Sequence, residues 1–340
     1  MKTKDDLGNL VGQITREQLR KSGGVQPPLL LASSIDKTFG TTKALSDVGF
    51  VINPAEIVGL MGGNGAGKST LAKIIGGLIP PDSGNLVLFQ HTLESNHSPR
   101  NAMALGLRYV HQELSLCKNL RVFENFAIEL SDIVTGVQWK SNATAFARDA
   151  LEQVFPGHGI NPSARVESLS LSQQQMVEIA RAVSHPATRL VIMDEPTSSL
   201  GSREADQLRA HMKRQRSNGM SFIFISHRLH ETLELADRIT VLRNGKVAWT
   251  GVTKEIGREA LVEMLGGRSR QSDETDKLSG VVDRIGRVEI TLPSSAGPPT
   301  GQMSAYAGEI LGLAVLEGNG QRQVLHNIFS AAAQHFHERF

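Results

Sequence analysis

Nine consecutive residues of this chain have the types and spacing of a phosphate-binding loop. They are Gly62, Gly63, Asn64, Gly65, Ala66, Gly67, Lys68, Ser69 and Thr70, and they fit the pattern G-x-x-x-x-G-K-[ST] at every fixed position. Glycines allow the backbone to turn tightly, so that its N–H groups face a bound phosphate. We expect Lys68 to reach the β- and γ-phosphates and the Ser69 hydroxyl to hold Mg²⁺. The loop therefore predicts that the chain binds a nucleoside triphosphate.

The segments on either side of the loop predict the elements that position it. An apolar run at residues 57–61 predicts a buried strand that enters the loop, and residues 71–75 have helical character. A strand, a glycine loop and a helix in this order form a phosphate cradle, because the positive end of the helix dipole faces the anion. The alternative, a glycine turn with an incidental Lys-Ser pair, does not account for these flanking segments.

Polar residues follow three further predicted strands, at 107–110, 190–193 and 222–225. These residues are Gln112, Asp194, Glu195 and His227. Taken singly, each is a weak signal, because a loop glutamine is usually a simple hydrogen-bonding residue and a lone histidine is usually structural. Their meaning depends on their occurring together with the phosphate loop.

In that combination the residues resemble the motifs of ABC-type ATPases. The resemblance implies that Asp194 binds Mg²⁺ and that Glu195 orients or deprotonates the attacking water. It implies that His227 contacts the γ-phosphate, so that Lys68, Glu195 and His227 are the expected catalytic residues. Gln112 is expected to touch Mg²⁺ and to link the nucleotide to a membrane partner.

The same resemblance implies how the cofactors, ATP and Mg²⁺, are held. Phe39 corresponds to the aromatic residue that stacks on adenine, with an ordinary core phenylalanine as the alternative. Ser69, Gln112 and Asp194 form the expected metal site. The phosphate loop, Phe39 and Gln112 are expected to contact the nucleotide from within this chain.

The segment Leu-Ser-Leu-Ser-Gln at residues 169–173 occupies the position of the family's signature, directly before a predicted helix at 174–183. The family consensus is Leu-Ser-Gly-Gly-Gln, and its helix N-terminus clamps the γ-phosphate bound to an opposite subunit. The residues expected to make this contact here are Ser170, Ser172 and Gln173. Leu171 and Ser172 replace both glycines, so side chains stand where bare backbone approaches the phosphate, and we expect tight closure on ATP to be impaired.

Three segments narrow the resemblance to the ATP-binding subunits of bacterial simple-sugar importers of the ribose, galactose and xylose type. They are residues 111–114, 173–180 and 225–229, and the resemblance extends over about residues 29–268. It implies ATP hydrolysis coupled to import through a membrane permease, with a periplasmic sugar-binding protein as an indirect partner. It also implies a peripheral location on the cytoplasmic face of the inner membrane.

Other functions remain open from the sequence. A nucleoside or other small-polar-solute importer fits the same motifs, and so does a nucleotide-binding fragment without productive turnover. A soluble ABC protein of translation or DNA repair is disfavoured, because the chain has neither a basic linker nor a long coiled-coil insertion.

We predict an α/β fold with an ABC-type P-loop ATPase domain at residues 28–268 and an inserted helical subdomain at about 115–183. An N-terminal extension is expected at 1–27 and a polar linker at 269–285. The start of a second, degenerate repeat is expected at 286–340.

The second repeat is predicted from a short internal sequence similarity, called the echo below. Residues 309–313 repeat residues 56–60 at an offset of 253. This register places Val315, Gln321 and Arg322 where the first copy has Gly62, Lys68 and Ser69, so the second loop is not expected to bind MgATP in the usual way. Coincidence between two strand-turn segments is the alternative. We expect the chain to stop early in a second nucleotide-binding domain, and the intact domain to pair with a second one in a homodimer or with a full-length homologue.

Composition sets broader bounds. The net charge is +2 with acids and bases interspersed, which predicts no nucleic-acid partner. The single cysteine, Cys117, cannot form an internal disulfide, so a reducing compartment is expected. No apolar run has the length that a membrane span needs.

Overall fold

The computed structural model describes residues 27–93, 97–130, 135–265, 287–292 and 301–306. The predicted extension lies outside these residues except for its last position, and the predicted linker at 269–285 lies wholly outside them. The echo at 309–313 also lies outside the described residues, together with Val315, Gln321 and Arg322. The described part divides between two units, residues 1–269 and residues 270–340.

Strands and helices alternate through the first unit, as predicted for an α/β protein. Its strands are β1 (Leu30–Phe39), β2 (Thr42–Ile52), β3 (Ile57–Gly62), β4 (Ser83–Leu88), β5 (His91–Leu93), β6 (Leu107–Val110), β7 (Leu190–Asp194), β8 (Ser221–Ile225), β9 (Arg238–Arg243) and β10 (Lys246–Val252). Its helices are α1 (Lys68–Ile75), α2 (Pro99–Ala104), α3 (Val122–Glu129), α4 (Trp139–Val154), α5 (Leu171–Ser184), α6 (Ser202–Ser217), α7 (Leu229–Leu235) and α8 (Arg258–Met264).

A six-stranded sheet with the order β10-β9-β3-β8-β7-β6 forms the centre of this unit. Strands β9, β3, β8, β7 and β6 run parallel, and β10 pairs antiparallel with β9. The carboxyl ends of the parallel strands therefore share one edge, which is where ligands of open α/β sheets bind. The phosphate loop follows β3 at this edge, and the predicted catalytic segments follow β6, β7 and β8.

Strand β7 shows why this sheet is buried on both faces. All five of its residues are buried, and they alternate between two cores. Leu190 and Ile192 pack with α1, whereas Val191 and Met193 pack with residues of α3 to α6. A parallel strand that is covered on both faces is expected to be continuously apolar, as this one is until Asp194.

A second, antiparallel sheet has the order β2-β1-β4-β5. The apolar run at residues 29–31 predicts a short strand, and this prediction is too short, because β1 continues to Phe39 through Ser33, Asp36 and Lys37. These polar residues are compatible with a strand because one face of an antiparallel sheet can remain in water. Strands β1 and β2 form a hairpin whose turn lies between Phe39 and Thr42, the last pair of the ladder.

Helices α3, α4 and α5 lie within the range predicted for a helical subdomain. Phe123, Phe126, Ala127 and Leu130 have the i, i+3, i+4, i+7 spacing that predicts an amphipathic helix. Helix α3 confirms this prediction, and Phe123, Phe126 and Leu130 are buried. The predicted start of α5 at Gln174 is wrong, because the helix begins at Leu171.

Two smaller features complete the described residues. Asn244-Gly245 lies between apolar runs at 239–242 and 247–250 and predicts a hairpin turn. The structure confirms it, since both residues have positive φ between β9 and β10. In the second unit, β11 (Arg287–Leu292) and β12 (Gly301–Tyr306) form an antiparallel pair. Among the described residues, no helix is both long enough and apolar enough to cross a membrane.

Candidate nucleotide-binding site

The phosphate loop leaves β3 at Gly62 and enters α1 at Lys68. Gly67 has a φ of +104°, and a Cβ built at this position would lie 2.7 Å from the Ala44 carbonyl oxygen. A Cβ at Gly62 would lie 2.4 Å from the Leu242 carbonyl oxygen. Side chains are therefore excluded where the loop passes β2 and β9, so these glycines keep the loop close to the sheet.

The Lys68 ammonium folds back over this loop. Its Nζ donates to the Gly62 carbonyl at 2.8 Å and to the Gly63 carbonyl at 3.1 Å. Partial burial lowers the pKa of Lys68, and the charges of Glu195 and Asp194 oppose that effect. The loop thus holds a cation over backbone that follows a strand and opens a helix, and this arrangement fits a phosphate.

Asp194 is the last residue of β7, and it lies on the face of the sheet that packs against α1. Burial raises the pKa of this carboxyl group, while hydrogen bonds from Tyr109 and Ser69 and the charge of Lys68 lower it. Tyr109 Oη donates to Asp194 Oδ2 at 3.2 Å. A buried carboxylate beside a hydroxyl is a hard-oxygen donor set, and this set fits Mg²⁺ once phosphate oxygens complete the shell. Among the described residues, no cluster of three or more His, Cys, Asp and Glu side chains offers a metal site of its own.

Glu195 and His227 face each other at the ends of β7 and β8. His227 Nδ1 lies 3.1 Å from Glu195 Oε1, and the Glu195 backbone N–H donates to the Ile225 carbonyl at 2.9 Å. Glu195 has a φ of +51°, a left-handed conformation that is uncommon for a side-chain-bearing residue. The strand end thus directs the carboxylate toward the histidine, and strained backbone of this kind is frequent at functional sites.

A buried hydrogen-bond network supports this pair from α7. Thr197 Oγ1 donates to Glu231 Oε2 at 2.7 Å, and Arg228 Nη1 donates to Glu231 Oε1 at 2.9 Å. Thr197 follows Glu195 by two positions and Arg228 follows His227 directly. The two segments that carry the predicted catalytic residues are therefore joined through one carboxylate, although the sequence patterns did not single out Thr197 or Glu231.

Gln112 lies in the exposed loop after β6. The preceding His111 ring stacks on Tyr109 with centroids 4.1 Å apart and an interplanar angle of 13°. Burial lowers the pKa of His111. The loop that carries Gln112 is thus connected to the Asp194 carboxylate through the Tyr109 ring and hydroxyl.

Phe39 is 50% exposed at the turn of the β1–β2 hairpin, so the core alternative does not hold. The Lys37 Nζ lies 5.6 Å from the centroid of its ring. Strand β2 of this hairpin passes beside the phosphate loop, since the Ala44 carbonyl lies directly against Gly67. An exposed aromatic ring near that loop is compatible with stacking on a base.

The signature segment opens α5 rather than preceding it. Ser170 is the N-cap, where its Oγ accepts from the Gln173 N–H at 3.2 Å and Gln173 Oε1 accepts from the Ser170 N–H at 3.1 Å. This capping box explains the early start of the helix. Leu171 is 58% exposed in the first turn, where the consensus has glycine.

Lys68, Ser69, Asp194, Glu195 and His227 therefore meet at one edge of the sheet. None of the hydrogen bonds described above joins this cluster to Phe39, Gln112 or residues 170–173, which are exposed or partly exposed. Tyr109 is the contact that motif reading missed. Strand alternation supplies a signal for it, because Tyr109 and Asp194 fall on the same face of neighbouring parallel strands.

A groove of about 1030 Å³ lies elsewhere, at the opposite edge of the sheet where β3 and β9 begin. Its charged side chains are paired with each other: Arg238 Nε lies 3.2 Å from Glu56 Oε1, and Arg216 Nη2 lies 2.6 Å from Asp237 Oδ1. Residues of the phosphate loop do not line it. Size alone therefore does not make this groove the candidate site.

Comparison with known proteins agrees with this geometry. Residues 45–198 match the family model described as "ABC transporter". The chain is 37% identical over 318 residues to a ribose import ATP-binding protein of Burkholderia pseudomallei, covering 89% of this chain and 59% of that protein. It is 38% identical over 301 residues to a ribose import ATP-binding protein of Chromobacterium violaceum, covering 87% of this chain and 58% of that protein. The chain thus spans under two thirds of the length of these relatives.

Solved structures resemble the same part of the chain. A crystal structure described as the ADP conformation of an ATP-binding cassette of an ABC transporter is 25% identical with a TM-score of 0.60, covering 72% of this chain and all of that one. A nucleotide-free ATP-binding cassette from an ABC transporter is 25% identical with a TM-score of 0.58, covering 70% of this chain and 95% of that one.

Proposed function

We propose that the chain is an ABC-type ATPase, in keeping with the match of residues 45–198 to the ABC transporter family model, and that its site binds MgATP and hydrolyses it to energise import of a simple sugar. The observation that carries this proposal is the meeting of Lys68, Asp194, Glu195 and His227 at the carboxyl edge of one parallel sheet. The proposal extends to a peripheral position on the cytoplasmic face of a membrane, against permease subunits.

The chain's own residues divide the work of binding. Lys68 Nζ donates to two loop carbonyls in this structure. When ATP is bound, it is placed to donate to the β- and γ-phosphates instead. The first N–H groups of α1 point the same way and carry the positive end of the helix dipole. Ser69 and Asp194 hold the metal, which when bound neutralises charge on the transferred phosphoryl group.

Glu195 and His227 divide the work of hydrolysis. Glu195 is placed to orient a water and to accept its proton, since phosphoryl transfer needs little covalent help from protein groups. His227 holds the Glu195 carboxylate through Nδ1 and leaves its other ring nitrogen for the γ-phosphate. The network of Thr197, Arg228 and Glu231 keeps both segments in place.

The nature of the cargo is proposed from the relatives. Those reported above are named for ribose import, and the chain is similar to them over most of its own length. A simple sugar is therefore our proposed cargo class. The cargo itself is expected to contact permease and binding-protein partners rather than this chain.

A second nucleotide-binding domain is proposed as the partner that completes the site. In the head-to-tail pairing that we propose, the signature of one domain closes on the phosphate loop of the other. The β11–β12 pair is compatible with the start of such a domain in the same chain, because β12 ends three residues before Glu309 much as β2 ends four residues before Glu56.

Uptake and turnover together test the proposal. The chain is expressed in a bacterium that lacks its own ribose import ATP-binding protein, and uptake of labelled ribose, galactose and xylose is measured. Restored uptake of one sugar by the wild type but not by a Lys68→Ala variant supports the proposal. ATP turnover without uptake of any of these sugars contradicts the cargo class alone, whereas absence of nucleotide binding contradicts the whole proposal.

A further inference from the structure

Tyr109 stands at a position where its side chain meets the metal-binding carboxylate. Strands β6 and β7 are parallel neighbours, with Tyr109 opposite Ile192 in register. Side chains alternate along a strand, so Tyr109 projects on the face that carries Ile192 and Asp194. This face packs against α1, which begins with Lys68 and Ser69.

The ring of Tyr109 is fixed by its neighbours on two sides. A Cβ built at Gly76, in the turn that ends α1, would lie 2.9 Å from Tyr109 Cδ2, so the ring lies directly against this glycine. The His111 ring stacks on Tyr109 at 4.1 Å. A side chain held in this way presents its hydroxyl from one direction.

The hydroxyl is directed at one oxygen of Asp194. Tyr109 Oη donates to Oδ2 at 3.2 Å, and Ser69 lies close enough to this carboxylate to lower its pKa. A phenol is a neutral donor at neutral pH, so it can occupy one carboxylate oxygen without competing with a cation for charge.

From this geometry we propose that Tyr109 is a positioning residue for Asp194, which it holds in the orientation that binds Mg²⁺. The proposal rests on the proposed function of the same site. Tyr109 touches neither nucleotide nor metal and acts through the Asp194 carboxylate. Groups that orient a metal-ligating carboxylate typically contribute roughly 10- to 100-fold to metal affinity.

The test separates nucleotide binding from metal binding. A methylanthraniloyl derivative of ATP is titrated into the full chain, first in EDTA and then at increasing Mg²⁺. For Tyr109→Phe we expect the affinity in EDTA to be unchanged and the half-saturating Mg²⁺ concentration to rise about tenfold. Tyr109→Met, which also lacks the donor but fills a different shape, is expected to show the same shift.

Two controls exclude a merely structural effect. Thr240→Val removes another buried hydroxyl of the sheet, one that bonds Thr250 at 3.0 Å rather than Asp194, and it should leave the Mg²⁺ titration unchanged. Thermal unfolding should show that each variant is folded at the assay temperature.

Each outcome of the titration decides the proposal. An unchanged Mg²⁺ midpoint in folded Tyr109→Phe overturns the positioning role and leaves the proposed function intact. An equal loss of affinity with and without Mg²⁺ also overturns it, because the ring then supports the loop rather than the carboxylate. Absence of any Mg²⁺-dependent binding in the wild type overturns the proposed function as well.

Discussion

His227 Nδ1 lies 3.1 Å from Oε1 of Glu195, so the segments that directly follow two neighbouring parallel strands are joined through their side chains. The backbone joins them a second time, because the Glu195 N–H donates to the Ile225 carbonyl. The histidine therefore orients the carboxylate that we assign to water activation. Its ring is largely exposed, with 60% of the side-chain surface accessible, so it remains open to a nucleotide.

We expect His227→Ala to lower ATP turnover by about 10²-fold, since it removes both the partner of Glu195 and the contact to the γ-phosphate. ATP affinity should change much less, because Lys68 and the loop remain. Steady-state phosphate release and nucleotide titration measure the two effects separately. As a matched control, His230→Ala removes an exposed histidine from the same helix region and should retain turnover. Turnover of His227→Ala at the wild-type rate contradicts the assigned role.

Lys68→Ala should abolish tight MgATP binding. The side chain supplies charge-assisted hydrogen bonds worth roughly 1.5–3 kcal/mol each, and the variant leaves the phosphates without them. Calorimetric titration with ATP and Mg²⁺ measures the loss. Lys73→Ala, a change of the exposed lysine in the last turn of the same helix, should bind ATP like the wild type. Wild-type affinity in Lys68→Ala is the result that the phosphate-loop assignment does not allow.

The signature segment predicts weak ATP-driven dimerisation. In a homodimer, Leu171 and Ser172 of each copy must lie close to the ATP bound by the other copy. Leu171 is 58% exposed. Replacing both with glycine should tighten the dimer and speed hydrolysis by restoring backbone access, although glycine in the first turn of α5 costs helix stability of up to about 1 kcal/mol per residue. Sedimentation with ATP in a Glu195→Gln background compares the two signatures. A tight dimer with the native signature, unaffected by the glycines, shows that this hypothesis is wrong.

His211 predicts an acid-dependent loss of stability. The residue is buried between α4 and α6, where burial lowers its pKa to about 4 from an ordinary value of 6.5. In the unfolded chain His211 becomes protonated as the pH falls below about 6.5, whereas in the folded protein it stays neutral until about pH 4. The stabilising contribution is therefore complete above pH 6.5 and is lost as the pH falls toward 4, by about 3 kcal/mol.

Urea unfolding of the wild type and of His211→Gln between pH 7 and pH 4.5 tests whether His211 loses its stabilising contribution as the pH falls. The difference in unfolding free energy between the two proteins should shrink as the pH falls. His230→Gln, which changes an exposed histidine, should follow the wild-type pH dependence. A gap that stays constant or widens on acidification is inconsistent with a neutral buried His211.

Much of the fold and the site could be predicted from the sequence because short-range patterns encode them. The glycine loop between an apolar strand and a helix predicted the phosphate site. Continuous apolar strands predicted the positions of Asp194 and His227 at one sheet edge. Family resemblance added the roles, which single residues do not reveal.

Contacts between distant segments were not predictable in the same way. The Tyr109–Asp194 bond depends on which strands are neighbours, and the Thr197–Glu231 bond depends on how α7 packs beside β7. The start of α5 at Leu171 was missed because the capping box of Ser170 and Gln173 lies inside a motif expected to be a loop. Strand β1 was predicted too short because its polar residues face solvent.

The role of Glu195 tests the account most directly. ATP turnover and ATP affinity are measured for the wild type and for Glu195→Gln, which preserves the size of the side chain and removes the base. We predict affinity within about twofold of the wild type and turnover lower by about 10²-fold or more. Turnover of the variant at the wild-type rate would contradict the assignment of this site as an ATP-hydrolysing centre built on Glu195.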